Sequence, residues 1–234
     1  MKVIILAGGL GTRISEETAD KPKPMVQIDG KPILWHIINI YAKQGLNDFV
    51  IATGYKGEVI SDWVNSLETS WNIEAIDTGL ETQTGGRIKK CMNMVPGERV
   101  LATYGDGVGN INIKELLAFH ESHKKMATLT AVRPPARFGY LDMVKGSVVH
   151  FGEKNQSDAG WINGGYFVLD PLVSEYIGSD LEPFETGALP RLASEGELMA
   201  FEHPGFWQPM DTLREKQDLE KLAHEGSPPW LFNI

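Results

Sequence analysis

The sequence is short of cysteine and of long apolar segments, and each shortage excludes a class of protein. Cys91 is the only cysteine, so no disulfide can form within the chain and a reducing compartment is expected. No apolar run approaches the roughly 20 residues that a transmembrane helix needs. We therefore expect a cytoplasmic protein that has no membrane partner.

Basic residues are also in deficit. The 22 lysines and arginines are outnumbered by 31 aspartates and glutamates, which gives a formal net charge of −9 and a pI near 5.2. Such a surface is a poor match for nucleic acid or for an anionic membrane. An anionic ligand would therefore have to be met by a local group of cations.

Residues 3–14 contain a glycine-rich loop that matches neither of the two common glycine motifs. Residues 3–7 are a continuous apolar run, as expected for a strand buried on both faces. Residues 8–13 follow with three glycines, a threonine and an arginine. The dinucleotide fingerprint needs a glycine where Ile14 stands, and the P-loop needs a Gly-Lys-Ser/Thr ending that the sequence does not contain.

Three cations accompany this loop. Arg13 lies within it, and Lys21 and Lys23 follow, each next to a proline. Glycine lets backbone N–H groups approach phosphate oxygens without a Cβ in the way, and the cations would neutralise the phosphate charge. A strand-to-helix turn without a ligand would not require these cations. The segment therefore predicts a site for a nucleotide triphosphate.

The apolar pattern of residues 1–132 alternates between strands and helices. Strands are predicted at residues 3–7, 25–28, 49–52, 71–76, 100–104 and 128–132, and helices at 33–41, 59–67, from Arg87 to about 96, and at 113–124. This order indicates an α/β protein with a parallel sheet and right-handed crossovers. Ligands of such sheets bind beyond the carboxyl ends of the strands, so the segments that follow the strands are expected to line one crevice.

The second half of the chain has a different pattern. Shorter, more antiparallel strands are predicted at residues 141–144, 147–151 and 162–169, another strand at 198–203, and a last helix at 212–224. The sequence contains neither an internal repeat nor a flexible linker. Both halves are therefore expected to build a single domain, residues 1–234.

Two aspartates are candidate ligands for Mg²⁺. Asp106 follows a predicted buried strand between two glycines, and Asp211 directly precedes the last helix. Taken singly, Asp106 could be a turn residue and Asp211 an ordinary helix cap. Magnesium takes one or two carboxylates together with phosphate oxygens and water, so the pair supports a metal site.

Other polar residues have weaker signals. Glu153, Lys154 and Asn163 lie beside predicted strands and suit recognition of a sugar's hydroxyls and phosphate, although exposed loop residues are the default interpretation. His120 and His123 share one helix face, and without further ligands they are expected to be a solvated pair instead of a zinc site.

Several segments together resemble one enzyme family. Residues 6–13 with residues 21–25 look like the signature of sugar-1-phosphate nucleotidylyltransferases, and further matches lie at 77–79, 84–87, 103–107 and 162–165. Residues 196–214 resemble the C-terminal part of the members of that family that transfer a cytidylyl group. The resemblance implies a Rossmann-like three-layer α/β/α nucleotidyltransferase fold. Its sheet would be mixed and mostly parallel, with smaller antiparallel strands in the second half.

The same resemblance implies an activity. A cytidylyl group would pass from CTP to α-D-glucose 1-phosphate by Mg²⁺-dependent in-line displacement, giving CDP-glucose and pyrophosphate. Residues 1–132 would bind the nucleotide and residues 133–234 the sugar phosphate. The alternatives are a nucleotidylyltransferase that uses UTP, dTTP or another sugar 1-phosphate, and a non-catalytic nucleotide-binding homologue.

The resemblance also assigns roles to individual residues. Lys23 and Arg13 would be catalytic. The nucleotide would be bound by Leu6, Gly8, Gly9, Gly11, Thr12, Arg13, Lys23, Thr84, Gly85, Gly86, Arg87, Tyr104 and Gly105. The sugar phosphate would be bound by Gly139, Glu153, Lys154, Asn163 and Gly164, and Mg²⁺ by Asp106 and Asp211.

One departure from the family concerns assembly. Cytidylyl members carry an insertion between the helix at 59–67 and Asp77, whereas this chain runs almost directly into the strand at 71–76. That insertion helps to shape subunit contacts in the relatives that the chain resembles. A homo-oligomer is therefore one open outcome.

Overall fold

The structure, a computed structural model, describes residues 1–135, 139–153, 160–226 and 228–231, with the backbone alone for 139–142 and 150–153. The strands are β1 (Val3–Leu6), β2 (Gln27–Ile28), β3 (Lys31–Pro32), β4 (Asp48–Thr53), β5 (Asn72–Asp77), β6 (Val100–Tyr104), β7 (Gly107–Gly109), β8 (Ala127–Val132), β9 (Gly139–Val144), β10 (Ser147–Glu153), β11 (Ile162–Leu169), β12 (Leu198–His203) and β13 (Trp207–Pro209). The α-helices are α1 (Ser15–Thr18), α2 (Ile33–Ala42), α3 (Gly57–Asn65), α4 (Thr84–Met92), α5 (Ile113–His123), α6 (Ala188–Ser194) and α7 (Leu213–His224). Short 3₁₀ helices cover Thr12–Ile14, Lys23–Met25 and Pro171–Tyr176.

A seven-stranded sheet organises the chain. Its strand order is β12-β8-β11-β6-β1-β4-β5. The pairs β1–β4, β1–β6, β4–β5 and β12–β8 are parallel, while β11 runs antiparallel to its neighbours β6 and β8. The predicted mixed, mostly parallel sheet is confirmed.

Helices cover both faces of this sheet. Side chains of a strand point alternately to the two faces, and in β1 Val3 and Ile5 join one core cluster while Ile4 and Leu6 join the other. The first cluster contains the buried faces of α2, α5 and α7, and the second those of α4 and α6. The continuous apolar run of β1 thus follows from burial on both faces, and the three-layer arrangement is confirmed.

The antiparallel strands predicted for the second half are confirmed. β9 and β10 form a separate antiparallel pair, and β11 runs antiparallel to β6 and β8, although it has eight residues and lies inside the main sheet. β12 pairs with β8 in parallel. The positions of strands follow from local apolar patterns, whereas their partners depend on how the intervening segments cross the sheet.

Three predicted helix starts also differ from the structure. α3 begins at Gly57 instead of residue 59, α4 at Thr84 instead of Arg87, and α7 at Leu213 instead of residue 212. α7 is capped by Thr212, whose side chain accepts from the N–H of Glu215, and Glu215 returns a hydrogen bond to the cap. Capping therefore does not occupy the carboxylate of Asp211. Among the described helices, none combines the length and the apolar character needed to cross a bilayer.

The expectation that His120 and His123 form a solvated pair was wrong, because they belong to a hydrogen-bonded relay. The N–H of Lys125 donates to Nδ1 of His123 (2.9 Å), and Nε2 of His123 lies 2.8 Å from the Thr128 hydroxyl. Nδ1 of His120 contacts the same hydroxyl at 2.8 Å, and its Nε2 lies 3.3 Å from Asp170. His120 is 1% exposed. Because Nδ1 of His123 accepts from an N–H, that ring is neutral with its proton on Nε2. A neutral His120 with its proton on Nε2 completes the relay, since the Thr128 hydroxyl then donates to its Nδ1 and Nε2 donates to Asp170.

Buried neutral histidines predict that acid weakens the fold. Burial lowers the pKa of His36, His120, His123 and His203. In the unfolded chain these four rings bind a proton at the ordinary pKa of about 6.5, whereas in the folded chain they bind it only at lower pH. The free energy of unfolding should therefore be highest above about pH 6.5 and should decrease as the pH falls below it. Urea unfolding followed by tryptophan fluorescence at about pH 8 and about pH 5.5 measures this difference. A His224→Gln variant, changed at an exposed ring, should keep the same dependence, and equal stability at both pH values would contradict the prediction.

Candidate functional site

The carboxyl ends of the parallel strands open into one cleft of about 1430 Å³. This is the place where ligands bind in open α/β sheets. Most of the residues singled out in the sequence line this cleft, namely Leu6, Gly8, Gly9, Gly11, Thr12, Arg13, Lys23, Thr84, Arg87, Tyr104, Gly105, Asp106, Asn163 and Asp211. The fold therefore brings together side chains from the first and the last quarter of the chain.

Some of the candidates lie elsewhere. Gly85 and Gly86 face the backbone of residues 180–182 instead of the cleft, because a Cβ on Gly85 would lie 2.6 Å from the Glu182 oxygen and one on Gly86 2.5 Å from that of Asp180. Their small size allows the start of α4 to pack against this segment.

Other candidates lie beside the cleft or outside the described residues. The carbonyl of Gly164 accepts a hydrogen bond from Nε1 of Trp207 (2.8 Å), and Lys21 does not line the cleft. Lys154 lies outside the described residues. The backbones of Gly139 and Glu153 pair across β9 and β10, and the Glu153 side chain lies outside the described part of the structure.

A buried arginine holds the glycine-rich loop in place. Arg87, 4% exposed, donates to the carbonyl of Thr53 (2.6 Å), the hydroxyl of Thr78 (2.5 Å) and the carbonyl of Gly8 (3.1 Å). These contacts tie together the segments that follow β1, β4 and β5. Burial lowers the pKa of Arg87. A Cβ on Gly8 would lie 2.2 Å from Cζ of Arg87, so the side chain of Arg87 requires glycine here.

Four charged side chains meet at the centre of the cleft. Nζ of Lys23 lies 2.7 Å from Oδ2 of Asp106 and 2.6 Å from Oδ1 of Asp211, and Lys23 is 8% exposed. Nη1 of Arg13 contacts the other oxygen of Asp211 at 2.6 Å. The two carboxylates are thus paired with two cations of the chain itself.

The protonation of this cluster follows from these contacts. Burial alone would lower the pKa of Lys23, but Asp106 and Asp211 outweigh it and hold the pKa above its ordinary value. Burial alone would raise the pKa of Asp211, but Lys23 and Arg13 outweigh it and the pKa is lowered. Lys23 is therefore a cation and Asp211 an anion at neutral pH.

A short antiparallel ribbon places the two carboxylates side by side. β7 pairs with β13 so that Gly107 lies opposite Pro209, and the N–H of Met210 donates to the carbonyl of Asp106 (2.8 Å). Both aspartates stand at the same end of this ribbon. Their proximity therefore depends on pairing between segments about a hundred positions apart.

The donor set fits magnesium that is shared with a ligand. Asp106 and Asp211 contact the same nitrogen, so one small cation can contact both carboxylates. Within the described part of the chain, no group of three or more His, Cys, Asp or Glu side chains could hold a metal. Magnesium needs only one or two carboxylates when phosphate oxygens and water complete its shell. These residues fit Mg²⁺ better than a zinc site made of protein ligands alone.

A network of uncharged donors surrounds one more carboxylate in the cleft, Glu185. Its oxygens accept from the hydroxyls of Tyr104 (2.5 Å) and Thr84 (2.6 Å), and Nδ2 of Asn163 donates to the Tyr104 hydroxyl (3.0 Å). The sequence interpretation did not include Glu185, because this residue follows no strand and belongs to no glycine motif. It also assigned no role in the site to several further residues that line the same cleft, namely Leu10, Leu80, Gln83, Pro134, Pro135, Ile162 and Trp207.

Known proteins match the chain over nearly its whole length. The family model described as "Nucleotidyl transferase" matches residues 2–213. The glucose-1-phosphate cytidylyltransferase of Salmonella typhi is 50% identical over 253 aligned positions, 98% of each chain. A Bacillus subtilis protein named "Probable glucose-1-phosphate cytidylyltransferase" is 40% identical over 98% of this chain and 99% of its own. A crystal structure of HddC from Yersinia pseudotuberculosis, complexed with GMP-PN, is 26% identical with a TM-score of 0.76 and covers 95% of this chain and 99% of that one.

Proposed function

This chain belongs to the nucleotidyl transferase family, and from that premise we propose that it transfers the cytidylyl group of CTP to α-D-glucose 1-phosphate. The products are CDP-glucose and pyrophosphate. The observation that carries the choice of substrates is the 50% identity to the Salmonella cytidylyltransferase across 98% of both chains. The family membership makes the protein a nucleotidyltransferase, and the cleft supplies the chemistry that this reaction needs.

The charges of the cleft suggest where each substrate binds. Arg13, Lys23 and the backbone N–H groups of the glycine loop offer donors for the triphosphate in one part of the cleft. Tyr104 and Asn163 offer uncharged hydrogen-bonding groups on the other side, which suit sugar hydroxyls. Two anionic substrates can therefore bind next to each other with their phosphates toward the cations.

The reaction requires neutralisation of charge more than acid–base catalysis. A phosphate oxygen of the sugar 1-phosphate forms a bond to the α-phosphorus of CTP, and the bond from that phosphorus to the oxygen bridging to the β-phosphorus breaks. The attacking oxygen is already anionic, so the chain need not supply a strong general base. Lys23 and Arg13 hold the two substrates together and offset the charge of the five-coordinate transition state.

Asp106 and Asp211 are the residues that would hold Mg²⁺. The ion, when bound, neutralises phosphate charge and orients the triphosphate. Nζ of Lys23 contacts both carboxylates. An ammonium group has three N–H donors, so one of them is left for an oxygen of the α-phosphate.

The proposed arrangement uses both halves of the chain. Residues 1–132 supply the nucleotide-binding loop, and residues 133–234 supply Asn163 for the sugar phosphate, but Asp211 of the second half faces the nucleotide side.

The 253 aligned positions exceed the 234 residues of this chain, so the Salmonella relative has segments without a counterpart here. This difference in length supports the prediction that the chain lacks the insertion between residues 59–67 and Asp77. That the protein forms a homo-oligomer and that it is cytoplasmic stay predictions.

A substrate panel tests the proposed function. The protein is incubated with Mg²⁺, each nucleoside triphosphate in turn and a set of sugar 1-phosphates, and release of pyrophosphate is measured. We expect CTP with glucose 1-phosphate to give the highest kcat/KM. A preference for UTP or dTTP would replace cytidylyl transfer by another nucleotidylyl transfer. Absence of release with every pair would favour a binding protein without catalysis.

A further inference from the structure

The segment that carries Glu185 is held firmly against α4. Backbone N–H groups of Gln83 and Gly85 donate to the carbonyls of Asp180 (2.8 Å) and Glu182 (3.1 Å). The N–H of Phe184 donates to the Thr84 hydroxyl (2.8 Å). Together these contacts fix the backbone on the N-terminal side of Glu185, so its carboxylate has a defined position in the cleft.

A second set of contacts fixes the segment from behind. The carboxylate of Glu182 forms an ion pair with Arg191 and accepts from the N–H of Gly178 (3.3 Å). A Cβ on Gly187 would lie 2.2 Å from an oxygen of that carboxylate, so glycine is needed for this close approach. The carboxylate of Glu182 therefore holds both ends of the segment, and Glu185 lies between them.

The hydrogen bonds of Glu185 determine how Asn163 is oriented. An ionised carboxylate only accepts, so the Tyr104 hydroxyl must donate its proton to Oε1 and can then accept from Nδ2 of Asn163. Burial, with Glu185 second, raises the pKa of Tyr104, which keeps that proton in place. Oδ1 of Asn163 accepts from the N–H of Gly165 (2.9 Å). The amide therefore has a single orientation, and one Nδ2 hydrogen and one Oδ1 lone pair are left for a ligand.

The charge of Glu185 indicates which part of the substrates lies here. A carboxylate that lines a cleft for two polyanions repels phosphate groups, whereas it tolerates and orients uncharged hydroxyls. The phosphates have Arg13 and Lys23 as partners elsewhere in the cleft. The part beside Glu185, Tyr104 and Asn163 is thus suited to the sugar ring.

We propose that Glu185 is a positioning residue that acts through Tyr104 to orient the amide of Asn163 toward a hydroxyl of the acceptor sugar. This inference rests on the proposed function, and it adds a residue that determines selectivity among sugar 1-phosphates. Glu185 itself acts on the sugar only through this chain of hydrogen bonds.

The test compares wild type with Glu185→Gln on glucose 1-phosphate and its monodeoxy analogues. An amide in place of the carboxylate turns its Nε2 toward one of the two hydroxyls. If that hydroxyl is Tyr104, it accepts from Nε2 and no longer holds Nδ2 of Asn163, so the Asn163 amide is fixed by the N–H of Gly165 alone. We expect KM for glucose 1-phosphate to rise about tenfold, with KM for CTP nearly unchanged. The wild type should disfavour one deoxy analogue by about tenfold, and this penalty should disappear in Glu185→Gln and in Tyr104→Phe.

Controls separate positioning from folding and from the proposed function. Glu195→Gln removes a nearby exposed carboxylate whose partner is Tyr176, and it should keep the deoxy penalty. In the free protein, the side-chain amide signal of Asn163 in a ¹⁵N spectrum should shift in Glu185→Gln but not in Glu195→Gln. An unchanged deoxy penalty or an unchanged amide signal in Glu185→Gln would overturn the inference. If wild type released no pyrophosphate with any sugar, the proposed function would fail together with the sugar's part in the inference, and the amide signal would still decide whether Glu185 orients Asn163.

Discussion

Replacement of Lys23 by alanine should lower kcat by about a thousandfold or more, a loss of at least about 4 kcal/mol of transition-state stabilisation. Lys23 is the buried cation at the centre of the cleft, and its Nζ contacts both Asp106 and Asp211. Without it, the charge that develops at the α-phosphorus loses the ammonium group that offsets it. Initial rates of pyrophosphate release at saturating CTP and glucose 1-phosphate measure the effect.

Two further measurements show whether the loss comes from chemistry or from folding. The thermal midpoint of Lys23→Ala should stay within a few degrees of wild type, because the neighbouring carboxylates are partly exposed to water and Asp211 keeps its contact with Arg13. Mn²⁺, followed by electron paramagnetic resonance, should still bind, since both carboxylates are then free of the lysine. Lys21→Ala is the matched control, because Lys21 does not line the cleft. Near-normal kcat in Lys23→Ala would refute the role proposed for this residue.

Replacement of Gly8 by alanine should destabilise the protein by about 3 kcal/mol or more. The new Cβ would lie 2.2 Å from both Cζ and Nη1 of Arg87, whose guanidinium is buried and cannot move without losing contacts to Thr53 and Thr78. A buried charge with fewer hydrogen bonds is costly, so either the strand ends separate or Arg87 leaves its place. Urea unfolding at neutral pH gives the change in free energy.

Gly9 provides the matched control for this prediction. A Cβ on Gly9 would meet no atom within 4 Å, so Gly9→Ala should leave the free energy of unfolding almost unchanged. Because Gly9 lines the cleft, the added methyl group would approach the triphosphate, and KM for CTP should rise while stability is kept. Equal stability of Gly8→Ala and wild type would show that Arg87 does not require glycine at position 8.

Local patterns were sufficient for the strands that lead into the site. The apolar runs of β1 and β6 end directly in glycine-rich segments. A short, continuous apolar run is the typical sequence pattern of a strand that is buried on both faces. The same patterns did not show that β11 enters the main sheet, because pairing depends on the path of the connections. The local patterns also predicted wrongly that His120 is exposed to solvent. A polar ring on a helix is buried only where the folded chain supplies hydrogen-bond partners, which here are Thr128 and Asp170.

Glycines illustrate the same limit. The family resemblance assigned residues 84–87 to nucleotide binding, yet glycine is needed at positions 85 and 86 because the backbone of residues 180–182 packs on them. Glycine has no side chain that could indicate which neighbour requires it. A ligand, a tight turn and a close backbone contact can each require glycine, and only the packed structure shows which of them applies.

The sequence by itself determined the kind of chemistry, through the glycine loop after β1, the cations Arg13 and Lys23 and the resemblance of several segments to one enzyme family. The tertiary structure decided which groups meet. Lys23 and Asp211 are 188 positions apart and come into contact because β7 pairs with β13 beside the loop. Glu185 reaches Tyr104 across 81 positions because its segment packs on α4. Contacts of this kind depend on the packing of the whole chain, which no local pattern of residues records.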